Sequence, residues 1–170
     1  MPPPIRSAAH FEIAYRPARE EDLDFVRIVY TSTRLEELAQ TGWPLEAQHA
    51  FLEQQHQAQH SYYAQVYPDA ERLIIERGGT PVGRLYLAET PENLRIIDIS
   101  LLPEARGQGI GEAILRDIGA VAASHGRKVS IHVEQFNPAM RLYKRLGFIE
   151  VEDQGVYKLM EWSPKGGDPQ

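Results

Sequence analysis

Apolar and polar positions alternate in "FEIAYRPA" (residues 11–18), which predicts a short strand, and the rhythm then changes. Leu23, Val26, Val29 and Tyr30 recur at helical spacing behind the acidic "EED" of residues 20–22, whose carboxylates suit a first helical turn; this predicts a helix reaching about Leu38. A second helix is predicted from "WPLEAQ", with Pro44 at its first position, through "HAFLEQQHQAQHSYY". "RLIIER" and "VGRLYLAE", joined by "GGTP", read as a hairpin, and "LRIIDISLL" as a longer strand. Ile110, Ile114, Leu115, Ile118, Val121 and Ala122 then mark an amphipathic helix that Gly126 ends. "KVSIHVE" is a strand, "NPAMRLYKRLGF" a short helix with Asn137 as N-cap and Pro138 in its first turn, and "FIEVED" and "VYKLMEW" a closing hairpin. This order predicts a mixed α/β sheet, mostly antiparallel, with one parallel crossover.

Composition narrows the function classes. At 170 residues, 42% of them hydrophobic, the chain has the size of one ordinary domain whose core needs no metal or disulfide. The proline-rich start and polar end predict tails at 1–10 and 163–170 around a domain at 11–162. The balance of 18 Lys and Arg against 24 Asp and Glu, a net charge of -6, argues against a general nucleic-acid or anionic-membrane binder. Without cysteine there is no disulfide, thiolate metal site or cysteine nucleophile. No apolar run has signal-peptide or membrane-span length, so a cytoplasmic protein is expected.

The chemistry concentrates in "PEARGQGIGEAIL", residues 103–115, between a predicted strand and a predicted helix. Neither glycine register completes Gly-x-Gly-x-x-Gly, because Glu112 or Ile114 occupies the last position, and the Gly-Lys-Ser/Thr of a Walker loop is absent. What remains is Arg-x-x-Gly-x-Gly at Arg106, Gly109 and Gly111. Alternate glycines let a backbone approach a diphosphate, and the free N–H groups and dipole of a helix start favour its charge. Beginning 31 residues after Arg106, "NPAMRLYKRLGF" places Asn137, Ala139, Tyr143, Gly147 and Phe148 in a second recognisable pattern.

Together these two segments, with "YRPAREED" near the start, resemble the Gcn5-related N-acetyltransferase (GNAT) superfamily over about residues 11–160. The resemblance implies a GNAT fold, a splayed sheet of about six to seven strands flanked by about four helices. It also implies acetyl-CoA as acyl donor, with no metal. In that family the pantetheine arm enters the gap between two parallel strands. Leu101 N–H would then meet the acetyl carbonyl, and the main-chain N–H groups of Gln108, Gly109, Ile110 and Gly111, with Arg106, the diphosphate. Asn137 would touch the cofactor's arm or serve only as a helix cap.

The implied activity is N-acetylation of a primary amine, on a small molecule or a peptide, by direct attack in a ternary complex. The alternative is a non-catalytic acyl-CoA-binding module. A homodimer is compatible with either. Tyr143 matches the family tyrosine near the cofactor sulfur, a candidate general acid, although Ala139, Leu142 and Leu146 share its helical stripe and offer it a packing role. Asp98 interrupts an apolar strand, facing an acceptor or paired with an arginine. His132 stands where ribosomal-protein acetyltransferases of the family carry a glutamate base, and is a candidate base or a structural histidine. His49, His56 and His60 read as a solvated helical face, with the last pair at a metal-binding spacing. The region of the first two helices should wall the acceptor pocket. The acidity of the chain and Asp98 lean toward a cationic small amine, with a peptide N-terminus as the other acceptor.

Overall fold

A computed structural model describes residues 3, 5–91 and 93–164. Strand β1 (Ile13–Pro17) leads to α1 (Leu23–Ala39) and α2 (Leu45–Val66); β2 (Glu71–Arg77), β3 (Thr80–Glu89) and β4 (Asn93–Leu101) follow as a meander. Helix α3 (Ile110–Ser124) crosses over to β5 (Lys128–Glu134), and α4 (Met140–Arg145) precedes the hairpin β6 (Ile149–Gln154) and β7 (Tyr157–Trp162). The seven strands form one sheet in the order β1-β2-β3-β4-β5-β7-β6, with β4 and β5 as its parallel neighbours. These elements match those read from the sequence, except that α4 starts at Met140, after a turn, rather than at Pro138. Among the described residues, no helix is long and apolar enough to cross a membrane.

Helix α3 supplies the centre of the core. Ile110, Ile114 and Ile118 are almost fully buried, each stabilising by about 1.5–3 kcal/mol. They pack in one cluster with Leu85, Leu87, Ile96, Val129, Ile131 and Met160 of the sheet. On the opposite side α1 contacts β3 and β4, while α2 packs on α1.

Two features set the course of β4 along the sheet. Tyr86 pairs with Asp98 and Leu87 with Ile96, so Ile97 is an extra residue that bulges out of β4. Pairing of β4 with β5 stops there: Asn93–Ile96 face Lys128–Ile131, whereas β5 stays paired to β7 through Glu134. A bulge bends its strand and sharpens its twist, which turns the end of β4 away from β5. Nearby, the α-carbon of Gly83 lies so close to β4 that a Cβ would stand 2.2 Å from the Ser100 carbonyl oxygen. Only glycine lets β3 follow β4 along this divergent end.

The segment expected to be an N-terminal tail is in part built into the body. Ser7–Phe11 form a 3-10 turn, Ala8 is fully buried, and the buried Asp117 carboxylate of α3 accepts N–H bonds from Arg6, Ser7 and Ala8 at 3.1, 2.8 and 3.0 Å. A carboxylate inside α3 needs such donors, which hydropathy alone does not reveal. Residues 1, 2, 4 and 165–170 of the expected tails lie outside the described residues. Asp117→Asn turns an amide NH₂ toward N–H donors and should lower stability in urea unfolding by about 3 kcal/mol. In a chain starting at residue 9 the same substitution should cost little; equal losses in both chains would show that these bonds are not its origin.

Candidate active site

The glycine loop lies at the foot of the divergent strands. Gly109 is the N-cap of α3 at φ 92°, a left-handed conformation that L side chains rarely adopt. The first α3 amide with a carbonyl partner behind it is Ala113, bonded to Gly109 O at 3.0 Å, so the N–H groups before it point out of the helix start. A Cβ on Gly111 would find its nearest neighbour, Leu101 Cδ1, only at 4.0 Å, so the loop face toward the end of β4 is open. Ile110 is buried and anchors the loop to the core. The Gln108 side chain is engaged, its Nε2 donating to Glu104 O at 2.7 Å and its Oε1 accepting from Arg77 at 2.8 Å. Arg106 Nε donates to Leu101 O at 2.8 Å and its Nη2 to Ser32 Oγ of α1 at 3.0 Å, which brings its charge from the loop to the cleft.

Along β4, successive amides point to alternate sides. Leu102 N–H donates to Val82 O on β3 at 2.8 Å; the Leu101 amide therefore points away from β3, into the gap facing β5. This gap is a ready donor site for an extended ligand that enters as a strand. On its far bank Asn137 shapes the turn ahead of α4, its Oδ1 accepting the Ala139 N–H at 2.8 Å. The N-cap of the helix is Ala139, because the chain makes a turn at 137–139 before the helix begins, so Asn137 does not hold the N-cap position expected from sequence.

Tyr143 is buried, its ring edge-on to Phe148 at 5.5 Å, and it belongs to the hydrophobic core. Burial, and secondarily the charge of Asp98, holds its hydroxyl well above the ordinary tyrosine range, so it stays protonated. His132 lies one residue past the last β4–β5 pair and is partly buried. Burial first and the nearby Arg95 second push its pKa below the ordinary 6.5, Glu152 opposing them, so at neutral pH the ring is unprotonated. Arg95 donates from Nε to Ser130 Oγ at 2.7 Å on the same stretch of the sheet.

Asp98 sits in a network that the sequence did not display. Its Oδ2 accepts from Arg84 Nη2 at 2.7 Å and from Tyr63 OH at 3.5 Å, and its Oδ1 accepts from Ser100 Oγ at 2.6 Å. Arg84 is 2% exposed, also donates to Gln59 Oε1 of α2 at 2.8 Å, and lies over the Tyr86 ring. Of the two readings of Asp98, the arginine pair is the one the geometry places. The one hint in the sequence was Arg84 itself, a charge within the apolar strand "VGRLYLAE".

The histidines of α2 divide. His56 is buried rather than solvated, stacked obliquely on Tyr30 at 5.3 Å, its Nε2 without a partner among the described residues. Burial, then Arg84, His60 and Arg27, lower its pKa to about 4 against a smaller pull from Asp98. Its ring lies 6.3 Å from that of His60. Among the described residues no group of three His, Asp or Glu side chains is disposed to hold a metal ion.

Comparison with known proteins places this arrangement. A sequence model of the acetyltransferase (GNAT) family matches residues 32–148. A Bacillus subtilis (strain 168) protein provisionally named a ribosomal protein bS18-alanine N-acetyltransferase is 33% identical over 82 residues, 47% of this chain; the match spans about half of that relative, 54%. The fold is similar to that of PaiA N-acetyltransferase from Thermoplasma acidophilum in complex with coenzyme A, at TM-score 0.66 and 18% identity over 89% of this chain and 98% of that one. It is also similar to Arabidopsis thaliana Naa50 bound to the bisubstrate analogue CoA-Ac-MVNAL, at TM-score 0.57 and 17% identity over 89% and 99%.

Proposed function

The chain belongs to the GNAT acetyltransferase family, and on that premise we propose that it transfers the acetyl group of acetyl-CoA to a primary amine by direct attack in a ternary complex. The observation that carries this reading is the gap beyond Ile96 and Ile131, with an unpaired Leu101 amide on its wall and the α3 N-terminus at its foot. Those residues fit coenzyme A. The loop amides of Gln108, Gly109, Ile110 and Gly111 receive the diphosphate with Arg106 beside them, and Asn137 borders the arm. When bound, the donor supplies an activated thioester.

The chain's own groups then do the remaining work. Leu101 N–H donates to the acetyl oxygen and gains strength as that oxygen becomes negative. Tyr143, kept protonated by burial, donates to the departing sulfur. His132, unprotonated at neutral pH, accepts the proton released by the amine. Asp98, committed to Arg84, shapes the acceptor side instead of acting as a base. The acceptor enters from the α1 and α2 side. The name of the Bacillus subtilis relative and the peptide conjugate bound to Naa50 both concern peptide amines, which supports a peptide N-terminus over a free small amine.

In calorimetric titration acetyl-CoA should bind the wild type, and Gly109→Val should weaken it by more than about tenfold while the protein remains folded, since a branched side chain would occupy the approach of the diphosphate. Unchanged affinity would overturn the cradle. Tyr143→Phe keeps the ring and should lower turnover about 10²-fold at unaltered acetyl-CoA affinity, followed as thiol release over a panel of amines and peptides; wild-type turnover would leave only a packing role. Since His132 must be neutral to accept a proton, the rate should fall as pH drops through its depressed pKa, giving an acid limb below about 6.5. His132→Ala should abolish that limb, and its survival would exclude this base.

A further inference from the structure

The geometry points to Ser100 as the residue that receives the acceptor amine, accepting one of its N–H groups while His132 takes the other proton; Asp98 is the positioning residue that makes this possible. The inference rests on the acetyl-transfer reading above and adds a specificity determinant to it.

Ser100 lies on the divergent end of β4, immediately before Leu101 and past the last pair with β5. It faces the same side as Asp98, two residues back along the strand, and as Arg84, its partner across β3. That side is covered by Gln59 and Tyr63 of α2, the side from which an acceptor enters. A hydroxyl carries one hydrogen and two lone pairs. The ionised carboxylate of Asp98, held by the buried Arg84, can only accept, so the hydrogen of Ser100 is fixed on Asp98 Oδ1 at 2.6 Å. Its lone pairs are what remain for a ligand, on a residue that is half-buried beside the gap.

A neutral primary amine attacking a carbonyl polarised by Leu101 N–H brings two hydrogens on nitrogen. As the C–N bond forms and the C–S bond breaks, one proton passes to His132 and the other stays on the nitrogen, becoming the amide N–H, held by Ser100 Oγ. A secondary amine has a single hydrogen and cannot serve both groups. The cluster of Arg84, Gln59, Asp98 and Ser100 therefore selects primary amines, and it does so through the direction of one hydroxyl.

The test uses two conjugates of coenzyme A, independent of turnover and of the natural acceptor: the sulfur carries –CH₂–CO–NH–CH₃ in one and –CH₂–CO–N(CH₃)₂ in the other. Calorimetric dissociation constants for wild type should favour the N–H conjugate by about tenfold, the value of one hydrogen bond. Ser100→Ala should reduce that ratio to about one with the affinity for coenzyme A itself unchanged, which also reports a folded protein. Ser100→Thr, which keeps the hydroxyl, should restore the preference. Asp98→Asn should abolish it, because the side-chain amide it introduces would donate to Ser100 and turn the hydroxyl hydrogen outward against the ligand's N–H. A tenfold preference that persists in Ser100→Ala, or its absence in the wild type, would overturn the assignment while leaving the acetyl-transfer reading in place. If wild type binds neither coenzyme A nor either conjugate, that reading falls and the role of Ser100 with it.

Discussion

The parting of β4 from β5 after Ile96 and Ile131 is the constraint on which the rest of this structure depends. A sheet gains by pairing every backbone group, so two adjacent parallel strands separate only when something keeps them apart. Here the extra residue Ile97 bends β4, Gly83 allows β3 to stay with it, and β7 holds β5 on the other side through Glu134. The gap is thus enforced from both banks. Its unpaired amides can be satisfied by an extended ligand, and the crossover through α3 places a helix N-terminus at its lower end.

Around this gap the polar groups are arranged by face. The α3 side is apolar and closed, with Tyr143 reaching into it from α4. The α1 and α2 side carries Arg84, Asp98, Ser100 and Tyr63 in one connected set, with Arg84 buried and the other three half-buried. Burying an ion pair is costly, and losing one partner leaves an uncompensated charge at about 3–5 kcal/mol. Gln59 on one end and Ser100 on the other add hydrogen bonds to the pair, while the buried Arg84 Nε has no partner among the described residues. The consequence is a set of side chains with few alternatives, in which donor and acceptor directions are settled before any ligand arrives. Such preorganisation is what an acyl-transfer site needs, because groups that are already oriented cost nothing to orient during reaction.

Helix α1 ties the two halves together. Ser32 receives Arg106 from the glycine loop, and Arg34 pairs with Glu134 at the end of β5 at 2.7 Å, so one helix touches both banks of the gap. The N-terminal segment does the corresponding work on the far side, where Asp117 fixes it to α3. The helix that presents the loop is therefore braced from its solvent face as well as from the sheet.

The sequence by itself determined the elements, their order and the glycine loop. Periodicity is local, and Gly109, Gly126 and Asn137 act on residues within a turn of themselves. The two motifs were legible for the same reason, since a loop that must approach a diphosphate permits few residues. Only the tertiary structure decided the partners. That Asp98 meets Arg84, that Asp117 receives the backbone of residues 6–8, that His56 is buried and that Ser100 has its hydrogen committed all depend on register between strands and on how α1 and α2 lie over them. A buried polar side chain is stable only with a partner, and that partner stands 14 residues away for Asp98 and about 110 for Asp117. No local pattern encodes such a distance; it is set when the sheet closes.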